Sequence, residues 1–559
     1  MKRNLSKLFA CVLAACSVGS MIGFAGCGTT TAGEKIDKTK TQLYVFNFNG
    51  GYGTEWLTYV KDRYEELHKD DVWEEGKKGV QIFITANKAN AQNSATSVLT
   101  GRDEVFFQEF AYYYQLKSMG ILGDITEAVT ASIEEDGRSI EDKLTPQQKA
   151  HYGILEADGK THYYGIPHYQ TYGGLMYNID LFEKRGYYFV NDPQGTNIED
   201  LFVYYPDDVK SAGPDGQLGT YDDGLPATYD EFFTLCEYIA QTGDSIPVLW
   251  SGQHGGDYLN MITRGLFADY EGKEQFMLNF DYEGVATSLG TIVDGEFVKD
   301  ATSTTITTEN GYEVGRQAGR YYAATFLERL MTTKRYQGPN ANNSTHSHLD
   351  AQDDFLYAGV DGETPETAML VEGIWWCEEA QQTFEDMEVS YGQEYAMKNR
   401  GFGLMPWPKA TADKVGEKQT LYDFEFSMCF MKPNIAEWKK PLALDFIKFA
   451  NTDESLVEFT QVTSTPKALE YTMTEAQEAK LTPFGRSVWE LKKSADTVYP
   501  ISNKSFYANN QLYFTNLLTA TVNNYTNTFS TSFLNGTATA AEYFKGIYTY
   551  RKDTWRTLN

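Results

Sequence analysis

Basic residues are scarce in this chain relative to acidic ones. Its 559 residues include 48 lysines and arginines against 77 aspartates and glutamates, which gives a formal net charge of −29. Such an excess of negative charge repels phosphate backbones and anionic lipid surfaces. The composition therefore argues against nucleic-acid binding and against attachment to a membrane through a basic patch.

Cysteine is also scarce, and its placement does not suggest cross-links. Three of the six cysteines fall within the first 27 residues, and the others, Cys236, Cys377 and Cys429, are widely spaced. An odd, scattered set does not indicate a disulfide framework. Cys236 lies on an apolar helical stripe, so we predict a buried free thiol there.

The short motifs of common enzyme classes are missing as well. The sequence contains no G-x-S-x-G elbow, no H-E-x-x-H helix and no Walker A loop. His346, His348 and Asp350 could bind a metal, but they lie among loop-forming residues, and a solvated loop is the favoured interpretation. Among 77 carboxylates, choosing a pair for glycoside hydrolysis would be arbitrary. We predict that the protein is not an enzyme.

What the chain does have is a normal globular composition with many aromatics. Apolar residues make up 42 %, charged residues 22 % and aromatic residues 14 %, including 39 tyrosines. Disorder of the bulk is excluded by these fractions. The length exceeds that of one ordinary core, so we predict two domains or lobes. Tyrosine combines a flat apolar face with a polar tip, which suits recognition surfaces.

The N-terminus has the pattern of an export signal. Three basic residues among the first seven precede the apolar run LFACVLAACSVGSMIGFAG, in which Ala25 and Gly26 stand directly before Cys27. This end resembles the lipobox of bacterial lipoproteins, in which the cysteine is acylated, although Phe24 departs from its usual leucine-type residue. The resemblance implies a signal peptide over 1–27, with lipid on Cys27, and a flexible tether over 28–39. An uncleaved anchor or simple secretion is the alternative.

Strand-like and helix-like segments alternate along the rest of the chain. Apolar runs at 43–49, 80–86, 104–110 and 246–250 are near-continuous, as in strands buried on both faces. Between such runs lie amphipathic segments such as ATYDEFFTLCEYIA, which opens with a capping box. The alternation predicts an α/β fold with parallel-rich sheets.

A polar insert, GPDGQLGTYDDGLP, carries a candidate cation site. Asp215, Asp222 and Asp223 stand among glycines and could supply oxygen ligands to Ca²⁺. Their spacing is not that of an EF-hand, and a solvated Gly/Asp turn is the slightly favoured alternative. No other cofactor is suggested.

Several longer motifs resemble extracellular solute-binding proteins of carbohydrate ABC importers. The resemblance rests on a "G-I-P" strand leading to "Y-N-x-D-L-F", on an "A-M-x-x-x-G-x-W" segment and on further landmarks in the same order. With WKKPLALDFIKFANTDESLVEFTQVTSTPKALE and the final FLNGTATAAEYF, which also fit, the landmarks span nearly the whole mature chain. In this sequence the motifs read GRDEVFFQEFAYYYQLKSMGILGDIT (101–126), YGIPHYQTYGGLMYNIDLFEKRGY (164–187), LPATYDEFFTLCEYIA, AMLVEGIWW (368–376) and GFGLMPWP (401–408).

The resemblance implies a periplasmic-binding-protein-like fold, with two α/β lobes joined by crossing hinge strands and a ligand cleft between them. Crossings are expected near 165–170 and 420–430, with a further one near 475. The implied lobes are 40–168 plus 427–475, and 169–426 plus 476–559.

The implied function is capture of a carbohydrate, and the many aromatics suggest an oligosaccharide. The protein would be a monomer, lipid-anchored on the extracellular face of the cytoplasmic membrane, and would deliver its ligand to an ABC permease and its ATPase. A lipid-anchored carbohydrate-active enzyme is one alternative. A peptide or amino-acid binder is another, but it requires a charged clamp, and no arginine stands out beside the expected cleft loops.

Trp375 and Trp376 are adjacent, so they cannot share one face of a regular strand or one stripe of a helix. In the family motif the tryptophan after "G-x" opens a helix at the cleft and stacks on a sugar ring. That position is Trp375, two residues after Gly373, which leaves Trp376 for the core. The alternative places both indoles in the core.

Other candidate ligand contacts follow predicted strands, where ligands of open α/β sheets bind. They combine aromatic faces with planar polar groups, as sugar recognition requires. Tyr422 and Phe424, at the return crossing, are expected to pack at the hinge only. The candidates are Asn49, Tyr52 and Glu55; Gln108 and Glu109; His168, Tyr169 and Tyr172; and Trp250, Gln253, His254 and Tyr258.

Overall fold

The computed structural model describes most of the chain after the expected signal and anchor region. The predicted signal peptide, Cys27 and the first part of the predicted tether lie outside the described residues. In the described part, no helix combines the length and the apolar character needed to cross a bilayer. The described residues are 35–558 except Gln92, 204–208, Asp244, Glu425, Asn516, Asn524, 528–531 and 534–535.

The strands range from two-residue pairs to the eight-residue strands at the centre of each large sheet. In chain order they are β1 (Thr41–Phe48), β2 (Val80–Asn87), β3 (Val105–Gln108), β4 (Ser132–Ile133), β5 (Arg138–Ser139), β6 (Gly153–Leu155), β7 (Thr161–Tyr163), β8 (Ile166–Pro167), β9 (Gly173–Asn178), β10 (Ser245–Leu249), β11 (Gly284–Ala286), β12 (Gly290–Val293), β13 (Glu296–Lys299), β14 (Thr304–Ile306), β15 (Glu366–Gly373), β16 (Phe402–Met405), β17 (Thr420–Tyr422), β18 (Met428–Met431), β19 (Asp496–Val498), β20 (Ala520–Val522) and β21 (Tyr525–Asn527).

The helices lie between these strands and cover the sheets. In chain order they are α1 (Glu55–Leu67), α2 (Ala95–Thr100), α3 (Tyr113–Ser118), α4 (Thr126–Thr130), α5 (Pro146–Tyr152), α6 (Ile179–Arg185), α7 (Tyr229–Thr242), α8 (Gly255–Asp281), α9 (Ala318–Thr332), α10 (His348–Leu356), α11 (Trp376–Glu379), α12 (Gln381–Tyr391), α13 (Lys440–Phe449), α14 (Asp453–Thr463), α15 (Glu475–Glu478), α16 (Pro483–Ser494), α17 (Ser505–Asn509) and α18 (Ala540–Trp555).

The first lobe is built on a five-stranded sheet in the order β2-β1-β3-β18-β8. Strand β1 runs parallel to both of its neighbours, and β18 runs antiparallel to β3 and β8. Helix α1 buries Trp56, Leu57, Val60 and Tyr64, an apolar stripe at helical spacing, in the same core as the sheet.

The second lobe is built on a four-stranded sheet in the order β10-β15-β9-β16. Here β10 and β15 are parallel, whereas β9 is antiparallel to both β15 and β16. Both large sheets are therefore mixed, and the expectation of parallel-rich sheets was wrong. Strands β9 and β18 begin just after the chain crosses between the lobes. The chain therefore enters the sheet from the end opposite to that of a strand that follows a covering helix, and the pairing is antiparallel.

The local helix predictions agree with the structure. Thr228 caps α7, with its hydroxyl accepting a hydrogen bond from the backbone N–H of Glu231 at 3.2 Å. The Glu231 carboxylate accepts from the N–H of Ala227 at 2.7 Å, so its return bond reaches the residue before the cap. Cys236 is wholly buried on the inner face of α7, and Cys377 and Cys429 are also buried free thiols.

Three chain segments meet between the two sheets: 168–172, 423–427 and 466–468. The Gln170 N–H donates to the carbonyl of Pro466 at 2.9 Å. The Ser427 hydroxyl accepts from the N–H of Tyr169 at 3.0 Å and donates to the Tyr169 carbonyl at 2.8 Å. Hydrogen bonds thus hold 168–172 beside 423–427 and 466–468. The crossings expected near 165–170, 420–430 and 475 stay predictions; the first two ranges overlap 168–172 and 423–427, and the third lies after 466–468.

Lys467 is wholly buried at this junction without a carboxylate partner among the described residues. Its ammonium lies 2.7 Å from Nδ1 of His168 and 4.4 Å from the ring centre of Phe459. Desolvation lowers the pKa of Lys467 to about 7 and holds the pKa of His168 well below its ordinary value. A neutral imidazole can accept a hydrogen bond from the lysine.

We expect Lys467 to make stability depend on pH. Its folded pKa of about 7 lies below the ordinary 10.5, so the unfolded chain binds the extra proton between these values. The penalty is complete below pH 7 and disappears towards pH 10.5, so the free energy of unfolding should rise with pH by up to about 1.4 kcal/mol per unit.

Denaturant unfolding at pH 7, 8 and 9 checks this expectation. Lys467→Met should flatten the pH dependence, because Met keeps the apolar contacts and does not titrate. Lys480→Met, at an exposed site, is the control and should keep the native slope. Equal slopes for Lys467→Met and the native protein would contradict the assignment.

Candidate functional site

A cavity of about 530 Å³ lies between the two lobes. Its volume is typical of small-molecule sites. The first-lobe wall comes from loops that follow β1, β2 and β3, because parallel neighbours deliver their C-terminal ends to one edge of the sheet. This wall consists of Phe48, Gly50, Tyr52, Lys88, Glu109, Phe110 and Tyr112.

The second-lobe wall comes mainly from the first half of α8 and from the start of α11. Asp257, Asn260, Met261 and Arg264 stand at helical positions i, i+3, i+4 and i+7, so one stripe of α8 faces the cavity. The other members of this wall are His254, Tyr258, His348, Trp375 and Glu379. The crossing segments close the cavity with Thr171, Tyr422, Phe424 and Phe426.

Trp375 is the partly exposed indole of the pair. It precedes α11 directly, and its carbonyl accepts hydrogen bonds from the N–H groups of Glu378 and Glu379. Its ring centre lies 6.0 Å from that of Phe424 and 6.4 Å from that of Tyr258. A Cβ atom at Gly51, where φ is 124°, would lie 2.8 Å from Cδ1 of Trp375. The glycine loop of the first lobe thus closes against the Trp375 edge.

Trp376 points the other way and is wholly buried. Its ring packs edge-on against Phe402 at 5.2 Å, Phe484 at 5.4 Å and Phe355 at 5.6 Å. The two adjacent indoles therefore face the cavity and the core respectively. Gly373 lies behind Trp375, whose ring occupies the space that a Cβ atom at that position would need.

Two aromatic residues of the cavity have left-handed backbones. Phe110 has a φ of 53° and Phe426 a φ of 51°, and the N–H of Ala111 donates to the Phe426 carbonyl at 2.9 Å. A non-glycine residue in this region costs roughly 1–3 kcal/mol and persists only where its surroundings enforce it. Both strained residues lie on the cavity wall, where the loop after β3 meets the return crossing.

The carboxyl groups of the cavity differ in protonation. Burial raises the pKa of Glu109 to about 7, although the Tyr169 hydroxyl, which hydrogen-bonds to it, and Lys88 act in the opposite direction. Burial alone would raise the pKa of Glu379, but hydrogen bonds from His348 and Gln352 outweigh it and lower that pKa. At neutral pH, Glu109 is partly protonated and Glu379 is ionised.

Of the candidates predicted from sequence, five line the cavity: Tyr52, Glu109, His254, Tyr258 and Trp375. Tyr169 lies behind the wall and hydrogen-bonds to Glu109, while Tyr172 is buried and hydrogen-bonds to Gln170. His168 is buried against Lys467. These three support the cavity from behind.

The remaining candidates do not reach the cavity. Trp250 is wholly buried, because its indole N–H donates to the carbonyl of Ala341 at 3.0 Å and its ring joins the second-lobe core. Gln108 is buried and donates to the carbonyl of Ala89. Asn49 and the exposed Glu55 and Gln253 stand outside the cavity lining.

Sequence reasoning missed several wall residues. His348 was assigned to a solvated loop, but it begins α10 and its Nε2 lies 3.4 Å from Oε1 of Glu379. Arg264 lies two turns beyond the WSGQHGGDY loop, and the helical stripe from Asp257 was the signal that could have found it. Phe424 and Tyr422 line the cavity as well as pack at the hinge.

The carboxylates of the aspartate-rich insert accept hydrogen bonds from the insert itself. Asp222 accepts from the N–H of Asp215 at 3.0 Å and from the Thr220 hydroxyl at 2.6 Å, and Asp223 accepts from the N–H of Gly219. In the described part of the chain, no group of three or more His, Cys, Asp or Glu side chains is arranged to hold a metal ion. The calcium site stays a prediction without support from this geometry.

A second cavity, of about 600 Å³, lies within the first lobe beside α2. Thr85, Asp103 and Gln108 contribute to its lining, and Asp103 already accepts a hydrogen bond from Thr85 at 2.8 Å. No second-lobe residue contributes to it, so the interlobe cavity is the better candidate for a ligand that both lobes contact.

The architecture and the interlobe cavity define a two-lobed α/β fold of the periplasmic-binding-protein type, as predicted. Solved structures share it over their whole length. A chitin oligosaccharide binding protein aligns with a TM-score of 0.52 at 15 % identity, covering 92 % of this chain and 99 % of that one. The cyclic alpha-maltosyl-1,6-maltose binding protein from Arthrobacter globiformis aligns with a TM-score of 0.51 at 13 % identity, covering 93 % and 100 %.

A third structure, maltose-bound MalE3 from T. maritima, aligns with a TM-score of 0.51 at 13 % identity, covering 92 % of this chain and 99 % of that one. No family model matches the sequence, and no curated protein matches it. At these identities the likeness confirms the fold, and the function is argued separately below.

We expect the two tryptophans to differ in their contribution to stability. Trp376→Ala should lower the free energy of unfolding by about 3–5 kcal/mol, because it removes a buried indole from an aromatic cluster. Trp375→Ala should lower the free energy of unfolding by only about 1 kcal/mol, because its ring is partly exposed. Guanidinium unfolding of both variants measures the difference. Equal losses would mean that both indoles act as core residues.

Proposed function

We propose that this protein is a substrate-binding protein that captures an oligosaccharide and delivers it to the permease of an ABC importer. The observation that carries the proposal is the partly exposed indole of Trp375 on the wall of an interlobe cavity. The C–H faces of a sugar ring pack on such a surface, and its hydroxyls require planar polar partners around it. Glu379, Asn260 and Arg264 supply such groups.

The two-lobed geometry suits capture and release. Ligand contacts come from both lobes, so bound ligand favours the closed arrangement, and the crossing segments act as the hinge. The solved structures with this fold that are named above bind chitin oligosaccharides, a cyclic maltosyl-maltose and maltose. These ligands support a carbohydrate for this chain. The protein acts as a monomer with the permease and ATPase as its partners.

One observation favours a second candidate function, a carbohydrate-active enzyme. Glu109 and Glu379 line the same cavity from opposite lobes, and their pKa values are shifted in opposite directions. Glycoside hydrolysis uses one protonated and one ionised carboxyl group. Because no motif accompanies the pair and the fold is shared with binding proteins, binding without turnover is the favoured function.

A thermal-shift screen of the mature protein against oligosaccharides tests the proposal. A ligand at 100 times its dissociation constant should stabilise the protein by about 2.7 kcal/mol. Trp375→Ala should reduce the shift strongly, whereas Trp438→Ala, which removes a half-exposed indole outside the cavity, should not. Chromatography of the same samples should show intact sugar. Cleavage that Glu109→Gln abolishes would establish the enzyme instead, and no shift with any sugar would reject both functions.

Anchoring through Cys27 is part of the proposal, on the evidence of the sequence motif alone. In a bacterial host that acylates lipoproteins, the native chain should partition into the detergent phase of a Triton X-114 extract. Cys27→Ser should move it to the aqueous phase, because the lipid supplies the membrane affinity. Detergent partitioning that survives Cys27→Ser would favour an uncleaved apolar anchor.

A further inference from the structure

Arg264 is the least satisfied charged group of the cavity. It stands on the cavity-facing stripe of α8, and its Nε atom is buried without a hydrogen-bond partner. Among the described residues, no carboxylate lies within ion-pair distance of its guanidinium. A buried donor without a partner costs roughly 1–3 kcal/mol, so such a group indicates a place where a ligand supplies the acceptor.

Three further polar atoms on the same cavity also lack partners, and one of them is Nδ1 of His348 at the start of α10. Asn260 precedes Arg264 by one turn of α8, is 6 % exposed, and its Oδ1 atom accepts no hydrogen bond. Thr171, on the crossing segment, is 0 % exposed, and its hydroxyl has no partner. These unpartnered atoms lie on α8, at the start of α10 and on the crossing segment.

The charges that face the cavity are unevenly paired. The Lys88 side chain, from the first lobe, makes no hydrogen bond or ion pair with a described residue, although its charge acts to lower the pKa values of both Glu109 and Glu379. The Asp257 carboxylate also makes neither contact with a described residue. Glu379 is engaged by Gln352 at 2.9 Å and by His348 at 3.4 Å, while Glu109 is bound by Tyr169. His254 contacts His348, with ring centres 5.5 Å apart. Two cations without an ion pair among the described residues therefore face the cavity from opposite lobes, Lys88 from one and Arg264 from the other.

We propose that the ligand is an acidic oligosaccharide, and that Arg264 binds the carboxylate of a uronic acid unit while Trp375 stacks on a neighbouring ring. This inference rests on the proposed function. The planar fork of a guanidinium matches the two oxygens of a carboxylate, which an ammonium group cannot reproduce. Asn260 and Thr171 then bind hydroxyl groups of the same unit.

An anionic ligand also explains the placement of Lys88. A carboxylate held by Arg264 on the second lobe lies in the field of a cation on the first lobe, so its charge favours the closed arrangement of the lobes. A peptide is the competing anionic ligand, with Asp257 as the partner of its ammonium group. The partly exposed indole and the aromatic wall around it favour the sugar.

Calorimetric titration with matched pairs of oligosaccharides tests the inference. The pairs are trigalacturonate with its methyl ester, glucuronate-branched xylotetraose with unbranched xylotetraose, and trimannuronate with mannotriose. We expect an acidic member to bind at least about tenfold more tightly than its neutral counterpart. Arg264→Gln should weaken that binding roughly ten- to hundredfold, and it should weaken binding of the neutral member by a clearly smaller factor.

Two variants control the experiment. Arg264→Lys keeps the charge but loses the fork, so it should restore only part of the affinity for the acidic sugar. Arg556→Gln makes the same substitution at an exposed position outside the cavity and should change nothing. Thermal unfolding of each variant without ligand shows whether the fold is intact.

The outcomes distinguish failure of the acidic-sugar inference from failure of the proposed function. If neutral members bind as tightly as acidic ones, or if Arg264→Gln weakens both equally, the acidic-sugar inference is wrong and the proposed function stands. If no oligosaccharide binds but trialanine or triglutamate does, the proposed function fails and the inference fails with it. Binding of an acidic sugar with loss in Arg264→Gln alone supports both.

Discussion

The passage of the chain between the lobes is the constraint on which the rest of the structure depends. Each large sheet is assembled from segments far apart in sequence, so the chain must cross between the lobes, and the crossing segments must satisfy their backbone groups where they pass. One hydroxyl, that of Ser427, both accepts from the N–H of Tyr169 and donates to its carbonyl. The Asp423 carboxylate accepts from the N–H of Thr171 in the same way. Side chains thus add to the few backbone hydrogen bonds that join the crossing segments, such as the one from the Gln170 N–H to the Pro466 carbonyl.

Part of the cavity wall is formed by the crossing segments themselves. Thr171, Phe424 and Phe426 belong to the crossing segments, so any ligand that touches them touches the hinge itself. The left-handed backbones of Phe110 and Phe426 lie where a first-lobe loop meets the return crossing. Strain of this kind is retained only when neighbouring contacts enforce it, and it couples the position of the aromatic side chains to the geometry of the hinge.

The elements with strong periodicity could be predicted from sequence, and the buried polar groups could not. The apolar runs and the capped helix α7 follow from local pattern, and the adjacency of Trp375 and Trp376 required them to face opposite ways. Trp250 and Arg264 show the limit. Trp250 stands in a glycine-rich loop that suggests ligand contact, yet the carbonyl of Ala341 satisfies its N–H in the core. Arg264 belongs to a helical stripe that begins at Asp257 and can be read from the sequence, but the unpartnered state of its Nε atom depends on the packing of the two lobes.

Buried polar atoms without hydrogen-bond partners are grouped in the cavity, and their free-energy cost distinguishes the cavity from the cores of the two lobes. Isolated examples occur elsewhere, such as Thr41 Oγ1 and the indole N–H of Trp376, each surrounded by its own lobe. A fold tolerates single losses of this size because its net stability is the small difference of much larger contributions. Four such atoms lie on one cavity that both lobes form, and one ligand can satisfy several of them at once; they belong to Thr171, Asn260, Arg264 and His348. The aromatic surfaces favour binding of a sugar ring, and these polar atoms determine which sugar is bound.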